Sequence, residues 1–323
     1  MSPDRVGKSS LRPANELLQV ARESSVGAIV PTYNTMELTI GCVASLLAGD
    51  LAPDATVVVD NGTDGTAAAV RERAWPGVVV IDNQRNEGFG RAINEAAQLL
   101  SKRHLLWLNS DVVLARSTLS ALTSLIESRR RVGAVGPRQT TPAGARLPST
   151  FSFPSAFRPF RRRPAATIEG RVDNDEFLSG ACLLVHRDAW NAVGPLDESF
   201  FFYWEDADWQ LRAIRAGWEL AICECDITHL GSGSADARSK ELLLLSFEGY
   251  ERFIRKHEGR AALALHRATN FPGVVRGAVF GGDDRSRRGA DAAIARARLV
   301  QMSRTIPTRA SSSWAKSLSG REA

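Results

Sequence analysis

The segment VGAIVPTYNTMELTIGCVASLLAGDLAPDATVVVDNG, residues 26–62, contains the pattern that decides the fold. It begins with a short apolar run that Pro31 ends, and apolar residues at helical spacing follow from Met36 to Leu47. A second apolar run, Thr56–Val59, then leads into the turn sequence that starts at Asp60. Continuous apolar runs of this length are typical of strands buried on both faces of a parallel sheet. The segment therefore predicts a strand, a helix and a second, parallel strand.

The same alternation continues to residue 111. Val78–Ile81 and Leu105–Leu108 are further strand-like runs, and Thr66–Arg73 and Ala92–Leu100 have helical spacing. Strands that alternate with helices predict an α/β fold with a mostly parallel central sheet flanked by helices. Ligands of such sheets bind beyond the carboxyl ends of the strands. The polar loops expected to form the site are Thr32–Asn34, Asp60–Asn61, Asn83–Asn86 and Asn109–Asp111.

The composition narrows the class of protein. The chain has 323 residues, 44% hydrophobic and 24% charged, which argues against a disordered, collagen-like or disulfide-dense protein. No apolar run approaches the roughly 20 residues of a membrane helix, and the polar first twelve residues predict no secretory signal. The four cysteines are expected to be reduced thiols in a cytosolic enzyme. Cys223 and Cys225 have no second pair that would complete a zinc site.

The charge is unevenly distributed along the chain. Residues 252–323 hold 15 Lys and Arg against 5 Asp and Glu, whereas residues 1–251 hold 26 against 31. This predicts an anionic partner for the basic extension alone. An anionic membrane surface is the expected partner, and a solvated extension with no partner is the alternative. Nucleic acid is disfavoured because the extension lacks interleaved aromatic residues for stacking. We expect a polar leader at 1–24, a main domain at 25–251 and a helical, partly disordered extension at 252–323.

Two segments, Asn109–Asp111 and Trp204–Trp209, contain polar residues of the types found in reactive sites. Asp111 follows the fourth strand two residues after Asn109, an arrangement suited to a divalent cation that holds a diphosphate. The alternative for Asp111 is a turn or a helix cap near Ser117. His229 is a metal ligand or simply a histidine at the end of a strand.

The segment Trp204–Trp209 places three carboxylates at the start of a helix. The helix dipole and an i,i+4 pair between Asp208 and Arg212 account for part of this cluster. Its aromatic neighbours predict burial, however, and a buried acid is costly unless it is paired or used. One of these carboxylates is therefore a candidate general base.

Asn86–Ala92 opens a helix with Gly88 and Gly90, which permit an anionic ligand to approach free N–H groups. The third glycine of the dinucleotide fingerprint is replaced by Ile93, which argues against a nicotinamide-dependent dehydrogenase.

Taken in order, these motifs resemble the family 2 glycosyltransferases, which have the nucleotide-sugar-binding GT-A fold. The resemblance covers about residues 26–234. Within the family, Asn109-x-Asp111 in place of Asp-x-Asp, the Ser179–Cys182 loop and Glu205–Asp208 most resemble bacterial rhamnosyltransferases that act on polyprenyl-diphosphate-linked N-acetylglucosamine. The matching segments are Val30–Asn34, Val59–Gly65, Asn86–Asn94, Asn109–Asp111, Phe177–Val185, Gly194–Asp197, Phe200–Asp208 and His229.

The resemblance implies a role for each matching residue. Asp111 and His229 would bind Mg²⁺ or Mn²⁺, more weakly than in relatives with two acids because Asn109 is uncharged. Asp206 would be the catalytic base, and a single base without a covalent intermediate implies inversion. The residues implied in nucleotide-sugar binding are Thr32, Tyr33, Asp60, Arg91, Asn109 and Gly180.

The resulting hypothesis is an inverting glycosyltransferase in bacterial cell-envelope synthesis. It would move L-rhamnose from dTDP-rhamnose onto a hydroxyl of a glycan or polyprenyl-diphosphate-linked acceptor. It would be cytoplasmic and peripheral on the inner face of the membrane, with residues 25–251 as its catalytic domain. The alternatives are transfer from UDP-galactofuranose, UDP-glucose or UDP-GlcNAc, and a non-catalytic protein that binds nucleotide sugars.

Overall fold

The computed structural model describes residues 25–158, 170–231 and 240–280, within which there are twelve strands and eight helices. The strands are β1 Val26–Thr32, β2 Ala55–Asp60, β3 Val78–Asp82, β4 His104–Leu108, β5 Val112–Leu114, β6 Val132–Thr140, β7 Arg146–Leu147, β8 Thr150–Ser152, β9 Gly170–Arg171, β10 Glu176–Leu178, β11 Cys182–His186 and β12 Glu219–His229. The helices are α1 Met36–Leu47, α2 Thr66–Glu72, α3 Phe89–Leu99, α4 Thr118–Ser128, α5 Arg187–Val193, α6 Glu205–Arg215, α7 Lys240–His257 and α8 Arg260–Phe280.

The central sheet has the strand order β3-β2-β1-β4-β11-β6-β12-β5, with β7 beside β6 and β9 beside β12. Its first four strands are mutually parallel, as the sequence predicts. Beyond them β11 is antiparallel to both β4 and β6, and β12 is parallel to β6 but antiparallel to β5. The α/β class is therefore confirmed, and the mixed half of the sheet carries residues that reach the site from later in the chain.

The register of the parallel strands aligns the predicted loops. Thr32 is paired with Asp60, and Asp60 with Asp82, so the loops after β1, β2 and β3 leave the same edge of the sheet. The loop after β4 leaves this edge as well, because β4 is parallel to β1.

Alternation along β1 and β4 divides the core into two layers. Val30 and Leu106 face one layer, which α1 and α4 cover, whereas Ile29 and Trp107 face the other, which α3, α5 and α6 cover. A third, mainly aromatic cluster packs α7 against β10 and the start of α6. Its fully buried members include Phe177, Trp204, Tyr250, Phe253 and Ile254.

Most predicted helices are present, and two differences have clear causes. The sequence predicts a helix from about Tyr203 to Ala216, but α6 begins at Glu205. Tyr203 and Trp204 have φ values of 70° and 74°, which a right-handed helix does not permit. The composition of residues 137–174, which is rich in Pro, Arg and Ser, predicts a long irregular excursion. This prediction is wrong at its start, because β6 continues to Thr140. The missing N–H of Pro137 is tolerated where β12 shifts register after Cys223, beside its pairing with Pro137.

The boundary drawn at residue 251 falls inside α7. Tyr250 on one side of it and Phe253 on the other are buried in the same cluster, so α7 packs as one unit with the main domain. The sequence also predicts an Ala- and Arg-rich helix at Asp291–Val300. This helix and the predicted leader at 1–24 lie outside the described residues. Among the helices that are described, none combines the length and the apolar character that crossing a bilayer demands.

Candidate active site

The loops after β1 and β2 interlock at the edge of the sheet. Asn34, which has a φ of 52°, accepts a hydrogen bond from the Thr63 N–H at 2.9 Å. Gly62 packs so closely that a Cβ at this position would lie 2.5 Å from the Asn34 Oδ1 atom. Only glycine fits there, which explains the turn sequence that ends β2.

Asp60 is buried beneath these loops and accepts hydrogen bonds from the backbone N–H groups of Gly62 at 2.9 Å and Ala67 at 2.8 Å. Burial raises the pKa of this carboxyl above its ordinary value, although the two N–H groups favour the charged form. Asp60 thus orders the turn at the position where the resemblance implies contact with the nucleotide base.

The two other residues implied near the nucleotide in the first loop differ in exposure. Thr32 is buried, and its hydroxyl lies 2.8 Å from that of Thr35 and 2.7 Å from that of Thr39. Tyr33 is half-buried at the same edge. The hydroxyl of Thr32 is therefore engaged inside the protein, whereas Tyr33 keeps part of its surface accessible.

The third loop joins the second through amides. Asn61 accepts a hydrogen bond from Asn83 at 2.9 Å and donates one to the Gly88 carbonyl at 3.4 Å, just before α3. Arg91, on the first turn of α3, is half-exposed and forms an ion pair with Glu87 at 3.1 Å. The Arg91 guanidinium is therefore paired with Glu87 but still partly accessible at the surface of this loop.

Asp111 and His229 are 118 positions apart in the chain but adjacent in the fold. The antiparallel pairing of β12 with β5 places His229 opposite Val112, and the His229 Nε2 atom lies 3.3 Å from the Asp111 Oδ1 atom. The other ring nitrogen, Nδ1, lies 3.0 Å from Oε1 of the buried Gln139 on β6. The sheet therefore brings together the two residues predicted as metal ligands.

The chemistry of this pair fits a divalent cation. When the Gln139 oxygen accepts from Nδ1–H, the lone pair of Nε2 faces the Asp111 carboxylate, and a cation between them satisfies both acceptors. The carboxylate suits both Mg²⁺ and Mn²⁺, and the imidazole nitrogen favours a transition metal over Mg²⁺. No group of three or more His, Cys, Asp or Glu that could hold a metal occurs within the described residues. Further ligands would have to come from a bound ligand, from water or from other oxygen groups.

Asp206 is connected to the metal-ligand loop by a short segment before β11. Its Oδ2 atom accepts a hydrogen bond from the Gly180 N–H at 3.0 Å, and the neighbouring Ala181 carbonyl accepts one from the Asn109 N–H at 2.9 Å. A Cβ on residue 180 would lie 2.7 Å from the Asp206 carboxylate, so the contact requires glycine. The predicted base and the predicted metal loop therefore contact opposite sides of one turn.

The start of α6 is held in an unusual conformation. Trp204 has a φ of 74°, and its indole N–H donates to the Ser246 carbonyl on α7 at 2.6 Å. Gly249 lies beneath the ring, where a Cβ would be 2.6 Å from the Trp204 Cδ1 atom. Left-handed non-glycine residues are costly and persist where the surroundings impose them. Here α7 imposes the conformation that begins the helix at Glu205.

Asp208 serves a different purpose from Asp206, although both belong to one acidic cluster. It is fully buried and contacts Lys256 at 2.7 Å, His257 at 2.8 Å and Arg212 at 2.9 Å. Burial acts to raise the pKa of Asp208, but the bonds from His257 and Lys256 and the charge of Arg212 outweigh it and hold the pKa below its ordinary value. Asp208 therefore anchors α6 to α7.

The family model that matches the chain is glycosyl transferase family 2, over residues 28–193. The chain belongs to glycosyl transferase family 2. The match covers five of the segments that carried the resemblance, including Asn109–Asp111, but it ends before Asp206 and His229.

Two relatives of this family 2 protein have names that describe what they do. The N-acetylglucosaminyl-diphospho-decaprenol L-rhamnosyltransferase of Mycobacterium tuberculosis is 33% identical in an alignment 203 residues long. This alignment covers 54% of this chain and 66% of that protein. The O-antigen biosynthesis protein RfbC of Myxococcus xanthus is 28% identical over 249 residues, which are 71% of this chain and 19% of that protein. The chain thus spans just under two thirds of the rhamnosyltransferase.

Among solved structures, the mannosyltransferase PcManGT from Pyrobaculum calidifontis, in complex with GDP-Man and Mn²⁺, superposes with a TM-score of 0.51 at 18% identity. The alignment covers 87% of this chain and 81% of that one. This similarity confirms the predicted GT-A fold of the family 2 chain.

Two residues of the site were missed by the sequence reasoning. Gln139 lies in residues 137–174, whose composition predicts irregular structure. No sequence feature near Gln139 links it to His229, 90 positions later. Ser246 lies on α7, where the sequence also predicts a helix, but its contact with Trp204 depends on how α7 packs against α6. No local sequence pattern carries either contact.

Proposed function

We propose that this family 2 protein is an inverting glycosyltransferase that moves L-rhamnose from dTDP-rhamnose to a hydroxyl of a polyprenyl-diphosphate-linked acceptor in bacterial cell-envelope synthesis. The observation that carries the proposal is the turn at Gly180 and Ala181, which contacts both Asp206 and Asn109. The named activity of the Mycobacterium tuberculosis relative supports the donor sugar and the lipid-linked acceptor.

The donor would bind at the carboxyl edge of the parallel strands. Asp60 would accept a hydrogen bond from the base, and Tyr33 would line the pocket with its accessible surface. Asn109 would contact the ribose or the sugar, and Arg91 would face the nucleotide. The shared strand edge supports this arrangement, since β1 and β2 end in register.

A divalent cation would be held by Asp111 and His229, and the Mn²⁺ in the complex of the related fold supports this choice. When bound, Mg²⁺ or Mn²⁺ supplies Lewis-acid stabilisation to the departing nucleoside diphosphate. The hydrogen bond from His229 to Gln139 orients the ring for this purpose. Because Asn109 lacks a charge, we expect the affinity for the cation to depend strongly on the bound diphosphate.

Asp206 would remove the proton from the acceptor hydroxyl as this hydroxyl attacks the anomeric carbon. The N–H groups of Gly180 and Ala207, at 3.0 and 2.8 Å from the carboxylate, donate to it and orient it. Attack from the face opposite the departing diphosphate inverts the anomeric configuration. General-base assistance of this kind contributes about 10²–10⁴-fold to the rate.

The first test is the effect of Asp206→Asn on transfer from dTDP-rhamnose to a polyprenyl-diphosphate-linked acceptor. The amide keeps the shape and removes the base, so turnover should fall by about 10²–10⁴-fold while donor affinity stays near that of the wild type. Asp173→Asn, an exposed aspartate before β10, is the matched control. A variant that retains more than a tenth of the wild-type rate would mean that another residue is the base.

The second test compares donors by thermal shift with and without Mn²⁺. We expect dTDP-rhamnose to stabilise the protein most, and only with metal. Stronger stabilisation by UDP-galactofuranose, UDP-glucose or UDP-GlcNAc would reassign the donor. Donor binding without hydrolysis or transfer, under any of these conditions, would favour the non-catalytic alternative.

The basic extension would bring the enzyme to the anionic cytoplasmic face of the membrane, where a lipid-linked acceptor is located. The charge balance of residues 252–323, 15 basic against 5 acidic, supports this part of the proposal. Attachment of this kind is peripheral and weakens with salt.

A further inference from the structure

One face of α1 carries a row of hydroxyl and thiol groups directed at the loop that contains Asp111. The row, here called the α1 seam, consists of Thr35, Thr39, Cys42 and Ser45. Spacings of four, three and three residues place all of them on one side of the helix. The opposite side of α1 is exposed at Gly41 and Ala44.

Three members of the seam bond directly to the segment 109–114. Thr35 Oγ1 lies 3.0 Å from the hydroxyl of Ser110, and the Cys42 thiol donates to the Asn109 carbonyl at 3.4 Å. Ser45 accepts a hydrogen bond from the Leu114 N–H at 3.1 Å. The seam therefore contacts residues on both sides of Asp111.

The buried hydroxyls form a connected network. Thr39 donates to the Thr35 carbonyl at 2.8 Å. The Thr32 hydroxyl lies 2.7 Å from that of Thr39 and 2.8 Å from that of Thr35, and the Thr35 and Thr39 hydroxyls are 3.3 Å apart. The Thr35 hydroxyl also lies 3.0 Å from that of Ser110, so Ser110 is joined to the network through Thr35.

Two further features complete the contacts of the segment 109–114. The Cys42 thiol stays a hydrogen-bond donor, and the residue after β12 bonds to Asp111. Burial raises the pKa of Cys42 above its ordinary value, and the nearby Cys182 and Asp111 raise it further, so the group stays a protonated donor. The Asp111 carbonyl accepts from the Leu230 N–H at 2.9 Å, one residue after His229. Asp111 is thus fixed between α1 and the end of β12.

We propose that the α1 seam positions Asp111 for the cation, with Thr35 and Ser45 as positioning residues. The proposal rests on the proposed function in one respect only, the identity of Asp111 as a ligand. Groups that orient a metal ligand without touching the metal typically change metal affinity 10–100-fold when removed. Neither Thr35 nor Ser45 has a place in the nucleotide or acceptor contacts described above.

The test uses Thr35→Val and Ser45→Ala in the full chain, with Thr123→Val as the matched control. The Thr123 hydroxyl bonds to the Leu119 carbonyl in its own helix at 2.8 Å, so its loss removes a hydrogen bond of similar kind away from the segment. Two quantities are measured: amide hydrogen exchange of Asn109, Val112 and Leu114 in the ligand-free protein, and the Kd for Mn²⁺ with dTDP, UDP or GDP present.

We expect about fivefold faster exchange at these amides in both variants, and a Kd for Mn²⁺ at least tenfold weaker. Nucleotide affinity in EDTA should be unchanged, and Thr35→Ser should restore both quantities because it returns the hydroxyl. The proposal is overturned if exchange at 109–114 and the Mn²⁺ Kd match those of Thr123→Val.

The two proposals fail in different ways. A wild-type protein that binds none of the three nucleoside diphosphates with Mn²⁺ contradicts the proposed function. The exchange rates still decide the positioning role in that case, since they are measured without ligand: unchanged rates contradict it, and faster rates support it.

Discussion

Asp206 and Gly180 show how closely the chemistry of the site depends on single residues. The carboxylate of Asp206 accepts its bond from a backbone N–H, and the residue that supplies it has no side chain. Gly180 does not have a positive φ, so its role is to permit this close approach and not to permit a special backbone conformation. The orientation of Asp206, the proposed base, therefore depends on the absence of a side chain at position 180.

Gly180→Ala should displace Asp206, because the added Cβ would lie 2.7 Å from its Oδ2 atom and 2.9 Å from its Cβ atom. We expect turnover to fall by about 100-fold, since small displacements of a reacting group cost on this order. Donor affinity should change little. Steady-state kinetics with Gly41→Ala as control, where the new methyl group would meet no atom within 4 Å, checks this prediction. A loss smaller than threefold would show that the turn can shift without cost.

His104 makes stability depend on pH far from the site. Burial lowers the pKa of His104 to about 4, and the neighbouring His186 and Arg103 act in the same direction. The unfolded chain, with a histidine pKa near 6.5, binds the proton first, so folding stability should decrease as the pH falls from about 6.5 to about 4.

We expect His104→Leu to reduce this pH dependence by about 2 kcal/mol between pH 7 and pH 5. Denaturant unfolding of both proteins at the two pH values measures it. His186→Leu is the comparison, because it removes a neighbouring imidazole and leaves His104 buried. An identical pH dependence in wild type and His104→Leu would contradict the assignment.

The contact between α6 and α7 is the main long-range support of the acidic cluster. Lys256 on α7 lies 2.7 Å from both Asp197 and Asp208, and Trp204 packs over Gly249 on the same helix. The sequence predicts a long helix over Lys240–His257, and the position of α7 against α6 follows from these contacts. A helix beyond the family match thus determines where the helix that carries Asp206 begins.

Lys256→Gln should lower the free energy of unfolding at pH 7 by about 1–2 kcal/mol, because Asp208 stays buried with only His257 and Arg212 as partners. Burial opposes ionisation of Asp197, but bonds from Lys256 and Ser199 lower its pKa to about 2. This contribution is present above the unfolded value of 3.8 and is lost as the pH falls towards 2.

The difference between wild type and Lys256→Gln should therefore shrink between pH 4 and pH 2, which denaturant titrations at a series of pH values will detect. Arg255→Gln is the control, because it removes an exposed positive charge from the adjacent position of α7. If both substitutions have equal effects at pH 7, the ion pairs of Lys256 do not stabilise the contact.

The molecule as a whole combines an acidic folded body with a basic end. Because α7 and the start of α8 contribute Phe253, Ile254 and Leu263 to the third core cluster, a truncation at residue 251 would remove part of that core. The charge of the extension is better tested by removing residues 281–323, which hold nine Lys and Arg against four Asp and Glu.

We expect the full chain to sediment with anionic liposomes at low salt, and a chain ending at Phe280 to sediment several-fold less. Basic residues contribute on the order of 1 kcal/mol each near an anionic surface, and salt screens this attraction. Neutral liposomes and high salt are the controls. Equal sedimentation of the two proteins with anionic liposomes would show that residues 281–323 are not the anchor.

The sequence by itself determined the parallel half of the sheet and the loops at its edge. The runs ending at Val30, Val59 and Leu108 are almost entirely apolar, and the helical segments between them provide the crossover connections that parallel strands require. The polar residues that follow each run then meet at one edge, because parallel strands end on the same side. These are short-range properties, so a local pattern is sufficient to predict them.

Only the tertiary structure decided which polar groups meet. Gln139 reaches His229 because β6 and β12 are paired, and Thr35 reaches Ser110 because α1 lies over the loop before β5. The Gly180 contact with Asp206 likewise joins the loop before β11 to the first turn of α6, 26 residues later. Such contacts depend on the packing of elements distant in the chain, and a hydroxyl or amide has the same local sequence signature whether its partner is water or the site. For this reason the sequence, through the family resemblance, predicted two candidate ligands, and the fold alone revealed the groups that lie around them.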